Sequence, residues 1–266
     1  NLARQALQTW SDITGISFVE TTSSTPNILF TDDDPDGGAF TEIISQDANG
    51  IFVTSMLVNV DSQWLTDFGS NFGSYTYQAY IHEIGHALGL GHAGNYNTTA
   101  EYPYDALFLN DSWATSVMSY FSQTESDYFA NLSFTERHLV TPMVADILAM
   151  QSLYGLSTTT RGGNTTYGWN SNLTNIYNAS LPGQSLTGFA YTIFDTGGTD
   201  TIDYSGYGPL SGQVIDLNPE AFSNVAGNIG NVTIARGTII ENAIGGTTRD
   251  TIIGNSANNV LSGIEG

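Results

Sequence analysis

The sequence predicts an α+β protein in two parts, a mixed sheet with long helices over residues 1–155 and an almost wholly β unit over residues 156–266. Three observations carry this expectation. Apolar residues recur at helical spacing within the first part, between short β-type runs. Beyond residue 155, Gly, Asn, Thr and Ser punctuate brief apolar runs. A chain of 266 residues also has room for one large domain or two ordinary ones.

Leu2, Ala6, Leu7 and Trp10 share one face of an N-terminal helix. ITGISFVE, NILFT and the run 51–60, from Ile51 onward, have the composition of strands. Residues 76–90 form the strongest helix candidate. Ser133 and Glu136 have capping-box spacing and predict a short helix. A longer one should reach Tyr154, with Thr141 as N-cap, Pro142 in its first turn, and Val144, Ile147, Leu148 and Leu153 on one face. In the second half, FAYTIFD, DTIDYSGY, QVIDLN, NVTIARGTIIENAI and DTIIGN read as strands joined by Gly-rich turns. GGTTRDTII followed by GNSANNVLS has a nine-residue period similar to the GGxGxDxUx calcium-binding repeat, but Thr248 replaces a turn Gly and Asn259 replaces the Asp.

Composition narrows the partners. Asp and Glu number 26 against five basic residues, all Arg, for a formal net charge of -21. Such a surface repels nucleic acid and anionic membranes, so neither is expected as a partner. No run approaches the ~20 apolar residues of a membrane span. With no Cys, disulfides and thiolate metal sites are excluded, and any stapling must come from packing or bound ions. The chain starts at Asn1 and stops in mid-pattern at Gly266, so a processed or truncated form is expected.

Three of the four histidines fall within HEIGHALGLGH, residues 82–92. His82 and His86 stand one helical turn apart on one face, where a single zinc ion can meet both. Gly89 can take a left-handed conformation that ends the helix and lets His92 swing back as a third ligand. Three protein ligands leave a coordination position open, which is the catalytic arrangement of zinc. Glu83 lies about 100° around the helix from His82, placed to act as general base without ligating the metal. The fourth histidine, His138, reads as an ordinary packed residue.

HEIGHALGLGH and SVMSY together resemble the metzincin zinc peptidases, and HEIGHALGLGHAGNYN with SVMSYF is most similar to their serralysin branch. The likeness extends over almost the whole chain through ADILAMQSLYG, TTYGWNSN, FDTGGTDTIDYSGY and IENAIGG. It implies a zincin-like catalytic domain followed by a β-sandwich or β-roll-like domain with shortened glycine-rich repeats. It further implies a secreted bacterial zinc endopeptidase of broad specificity, stabilised by calcium. Met118 would lie beneath the metal, and Tyr120 would be an extra zinc ligand able to swing away and stabilise the oxyanion. Residues matching the family's calcium ligands are Arg161, Gly163, Thr165, Asp195, Gly197, Gly198, Asp200, Ile239 and Glu241, with Ile239 standing where Thr is usual. Protein or peptide substrates would pair along an edge strand near residues 38–41, and the resemblance also implies a monomer and a proteinaceous inhibitor as partner. Two rival readings share these residues: an inactive ion-binding module, which would have no use for Glu83 and Tyr120, and an astacin- or matrixin-like peptidase, which would lack the β half.

Overall fold

The structure is a computed structural model describing residues 1–34, 37–50, 52–181, 186–207 and 212–265, so Ile51 and Gly266 lie outside the described residues. Helix α1 (Leu2–Thr14) turns Leu2, Ala6, Trp10 and Ile13 inward and ends at Gly15, whose N–H bonds Ser11 O. Strands β1 (Ile28–Thr31), β2 (Ala39–Gln46) and β3 (Val53–Val60) form a sheet in the order β1-β3-β2, with β1 parallel and β2 antiparallel to β3. This leaves β2 as an edge. After a short α2 (Trp64–Asp67), helix α3 (Tyr75–Ala87) begins at Ser74, whose Oγ accepts the Tyr77 N–H. Such a cap satisfies a donor that the first turn would otherwise orphan. Helix α3 packs between α1 and the sheet, and Trp10 Nε1 donates to Ile81 O across the α1–α3 contact at 3.0 Å.

A short α4 (Asp127–Ala130) and β4 (His138–Leu139) lead into α5 (Val144–Tyr154). The second half is short strands: β5 (Thr166–Gly168), β6 (Phe189–Ile193), β7 (Thr201–Asp203), β8 (Val214–Asp216), β9 (Phe222–Ser223), β10 (Val232–Ile234), β11 (Asn242–Ile244), β12 (Thr251–Ile253) and β13 (Val260–Ser262). Strands β13-β11-β7-β5 stack in parallel, with Thr166, Thr201, Asn242 and Val260 in register, and β12 pairs parallel to β8. The remaining sheet, β4-β6-β10-β9, crosses the sequence divide, because β4 from the first half pairs with β6 through His138↔Phe189 and Leu139↔Ala190. One hydrophobic core runs through both halves, from Trp10, Ile81, Met118 and Ile147 to Tyr167, Tyr191 and Ile202. Each such large side chain adds roughly 1.5–3 kcal/mol on burial, so the two halves stabilise one another. No helix among the described residues is long and apolar enough to cross a membrane.

Mixed helices and sheets are thus observed, but four local expectations need correction. ITGISFVE is not a strand: α1 continues to Thr14, Gly15 takes φ 73, and Thr14 Oγ1 accepts the Ile16 N–H, a donor a ladder would need. No helix runs from Ser133 to Glu136 either; Ser133 has φ 62 and closes the turn after α4 by donating its N–H to Ala130 O. Helix α5 starts at Val144, not at Pro142, because Asp146 Oδ2 accepts the Met143 N–H, whereas the Thr141 hydroxyl instead accepts the Thr192 N–H. Its buried face is Asp146, Ile147 and Met150, and Leu153 is exposed.

Candidate metal centre

Helix α3 presents His82 and His86 one turn apart, and their Nε2 atoms lie 3.1 Å from each other. His92 Nε2 approaches to 3.0 Å from His86 Nε2 and 3.3 Å from His82 Nε2. Tetrahedral zinc with Zn–N bonds of about 2.0–2.1 Å spaces its nitrogens roughly 3.3 Å apart. The three imidazoles therefore fit one ion. Among the described residues this is the only group of three or more His, Cys, Asp or Glu whose ligand atoms gather within 4.8 Å.

The third imidazole arrives through the way α3 ends. Gly89 has φ 97, its N–H bonds His86 O at 2.9 Å, and Leu90 N–H bonds Gly85 O at 3.0 Å. That pair of bonds is a Schellman turn, which a left-handed glycine closes at no steric cost. The turn also aims Leu90 O at His86, whose Nδ1 lies 2.8 Å away. His82 Nδ1 meets Val117 O, and His92 Nδ1 meets Tyr96 O, each at 2.8 Å. Each Nδ1–H thus donates to a carbonyl, which leaves every Nε2 lone pair pointing at the common centre. Burial pushes His82 down to about 3 and lowers His86 and His92 as well, so all three stay neutral and able to ligate near pH 7.

Glu83 is buried, and burial raises its carboxyl to about 7 despite a hydrogen bond from Thr41. The Thr41 Oγ1 lies 2.8 Å from both Glu83 Oε2 and Glu83 O, linking edge strand β2 to α3. Sequence reasoning missed Thr41 as a side-chain partner, because nothing in the local pattern marks a contact 42 residues away.

Met118 is buried beneath α3 at Gly85, where an added Cβ would stand 2.6 Å from its Sδ and 3.1 Å from Trp10 Cζ2. A side chain at position 85 would lift the helix or displace the methionine. Tyr120 sets its ring edge-on to His92 at 4.5 Å between centroids and also packs on Tyr96, and burial raises its phenol. Asp146, fully buried, holds this segment: it accepts the Ser116 hydroxyl at 2.7 Å and the N–H groups of Val117 and Met143 at 2.8 and 2.7 Å. Since Val117 O in turn takes His82 Nδ1–H, Asp146 supports one of the three converging imidazoles at one remove. The missed sequence signal was an acid at the third position of α5, where it can reach back to the N-cap.

In the second half, Asp195 and Asp200 from the β6–β7 loop come near Glu241 from the loop before β11. Glu241 Oε2 accepts the Asp200 N–H at 2.7 Å, Asp200 Oδ1 accepts the Thr165 N–H at 2.7 Å, and Asp195 Oδ1 accepts the Gly197 N–H at 2.8 Å. Asp200 Oδ2 is buried without a hydrogen-bond partner. Burial raises Asp200 to about 6, with the charges of Asp195 and Glu241 adding to the shift, and burial raises Asp195 too. Gly198, at φ 139, lets the backbone of Gly163 approach; a Cβ there would fall 2.6 Å from Gly163 C and O. Unneutralised carboxylates beside closely packed main chain suit a hard cation. Arg161 and Ile239 bring no side-chain ligand: the guanidinium pairs with Asp12 and Phe194 O, and Ile239 is 52% exposed. Any contribution from them would come through main-chain carbonyls. At the final repeat, Asn259 Nδ2 donates to Glu241 O at 2.9 Å and Asn255 Oδ1 at 3.0 Å, so an amide bridges neighbouring turns.

Comparison with known proteins adds two matches to family profiles. Residues 1–106 match the profile described as matrixin, and residues 156–263 match that of the peptidase M10 serralysin C terminal. The chain is 36% identical over 264 residues to the metalloprotease AprA of Pseudomonas entomophila, covering 97% of this chain and 53% of that protein. It is 38% identical over 276 residues to a serralysin of Photorhabdus luminescens, covering 97% and 53%. With serralysin C of Dickeya chrysanthemi it shares 39% identity over 259 residues, covering 94% and 52%. The chain therefore spans about half the length of the curated relatives it matches.

Proposed function

We propose, from the premise that this chain belongs to the serralysin family of metalloproteases, that it is a zinc-dependent endopeptidase. The observation that carries this reading is the convergence of three neutral imidazole nitrogens within 3.3 Å, with a buried carboxyl on the same helix. His82, His86 and His92 would hold the ion, and Tyr120 is the additional ligand in the proposal. When bound, zinc supplies Lewis acidity that polarises the scissile carbonyl and makes water acidic enough to attack near pH 7. Glu83 is suited to take the proton of the attacking water and return it to the leaving amine, because burial raises its carboxyl to about 7. The Tyr120 phenol donates a hydrogen bond to the developing oxyanion.

Edge strand β2 offers main-chain groups to an extended substrate beside Glu83, which reads backbone more than side chains and gives broad specificity. Calcium would sit among Asp195, Asp200 and Glu241 with carbonyls of the Arg161, Gly163, Gly197, Gly198 and Ile239 loops and the Thr165 loop, a fit supported by the orphaned Asp200 Oδ2. Residues 1–155 would form a zincin-like catalytic domain, and residues 156–266 a sandwich- or roll-like β domain. Export from a bacterial cell, action as a monomer and control by a proteinaceous inhibitor rest on the family alone.

Casein cleavage by wild type and Glu83→Ala at equal zinc content, with and without a chelator, tests the mechanism. The wild type should lose activity with its metal, and the variant's kcat should fall by about 10²–10⁴. Equal turnover by the variant would sink the role of Glu83, and inertness of both would favour an ion-binding module.

A further inference from the structure

Strand β2 does more than border the cleft. Thr41, half-buried and opposite Val58 in the β2–β3 ladder, turns its hydroxyl towards α3 and stands 2.8 Å from both Glu83 Oε2 and Glu83 O. A hydroxyl has a single proton, and an ionised carboxylate is a stronger acceptor than a peptide carbonyl. The hydrogen bond to Oε2 therefore dominates whenever Glu83 is charged. A glutamate side chain has three rotatable bonds, and near-attack geometry needs the reacting oxygen held near one place. We propose that Thr41 is a positioning residue for the general base: its hydroxyl pins Glu83 Oε2 to the edge strand, so that proton transfer runs through Oε1. The substrate-facing strand and the base are thereby locked in one spatial relation, though the donor comes from 42 residues earlier in the chain.

This inference rests on the endopeptidase reading, and its test separates the two. Thr41→Val keeps the branched shape and β-strand preference but removes the hydroxyl, whereas Thr41→Ser keeps the hydroxyl. Each is measured at equal zinc occupancy on a fluorogenic peptide, with melting temperature recorded alongside. A hydrogen bond to a charged group predicts that Thr41→Val lowers kcat by about ten- to a hundredfold with KM little changed. Thr41→Ser should restore most of that loss. Wild-type kcat in Thr41→Val, or a Thr41→Ser variant as slow as Thr41→Val, would overturn the positioning role while leaving the endopeptidase reading intact. A zinc-loaded wild type that cleaves neither the peptide nor casein would take down both.

Discussion

Gly89→Ala isolates the turn that delivers the third imidazole. Gly89 has φ 97, and a Cβ there would meet only Leu153 Cδ1, at 3.8 Å. The substitution is thus free of clash, and its cost is conformational, about 1–2 kcal/mol for an L-residue held in left-handed geometry. In a chain of this size that corresponds to a Tm loss of roughly 2–6 °C. The chain can escape the strain only by opening the turn. Opening it would move Leu90 O away from His86 Nδ1, now at 2.8 Å, and swing His92 off the site. Loss of such a supporting contact typically weakens metal binding by about 10–100-fold. Calorimetry of the metal-free protein reads the strain, and competition against a chromophoric zinc chelator reads the site. Gly89→Asn should fall between wild type and Ala, since Asn tolerates this backbone region better. A Gly89→Ala protein matching wild type in both measurements would refute the account of how α3 ends.

Two further outcomes concern Asp146 and Asp200. Asp146→Ala removes the acceptor for the Ser116 hydroxyl and the Val117 and Met143 N–H groups, leaving them orphaned in the core. Chemical denaturation should show a loss of about 3–5 kcal/mol, together with weaker zinc binding because Val117 O no longer anchors His82; undiminished zinc affinity would refute the relay. For Asp200, burial raises the carboxyl to about 6, so it binds a proton in the calcium-free fold below that pH and must release it to ligate. Calcium affinity should accordingly be full above pH 6 and decline as pH falls through it; titration calorimetry at pH 7.5 and 5.5 showing equal affinities would count against Asp200 as a ligand.

What could be read from residues alone is what depends on local spacing. His82 and His86 at one helical turn, Gly89 as the stop, and His92 just beyond it lie within eleven residues, and 3.6-residue periodicity places them without knowledge of the rest of the chain. The same holds for the change in pattern near residue 155 and for most strands of the second half. Elements failed where a side chain captured a backbone group that pattern reasoning assigned elsewhere: Thr14 took the Ile16 N–H, and Asp146 moved the start of α5. Tertiary structure alone decided the hydroxyl of Thr41 on Glu83, the methionine packed against Gly85, Asp146 beneath the Met118 segment, and β4 crossing to pair with β6. These contacts join residues 29 to 51 positions apart, through the folding of whole elements against one another. Helical period and turn chemistry act over a few residues, whereas which distant surfaces meet is set by burial of a shared core, and that is a property of the entire chain.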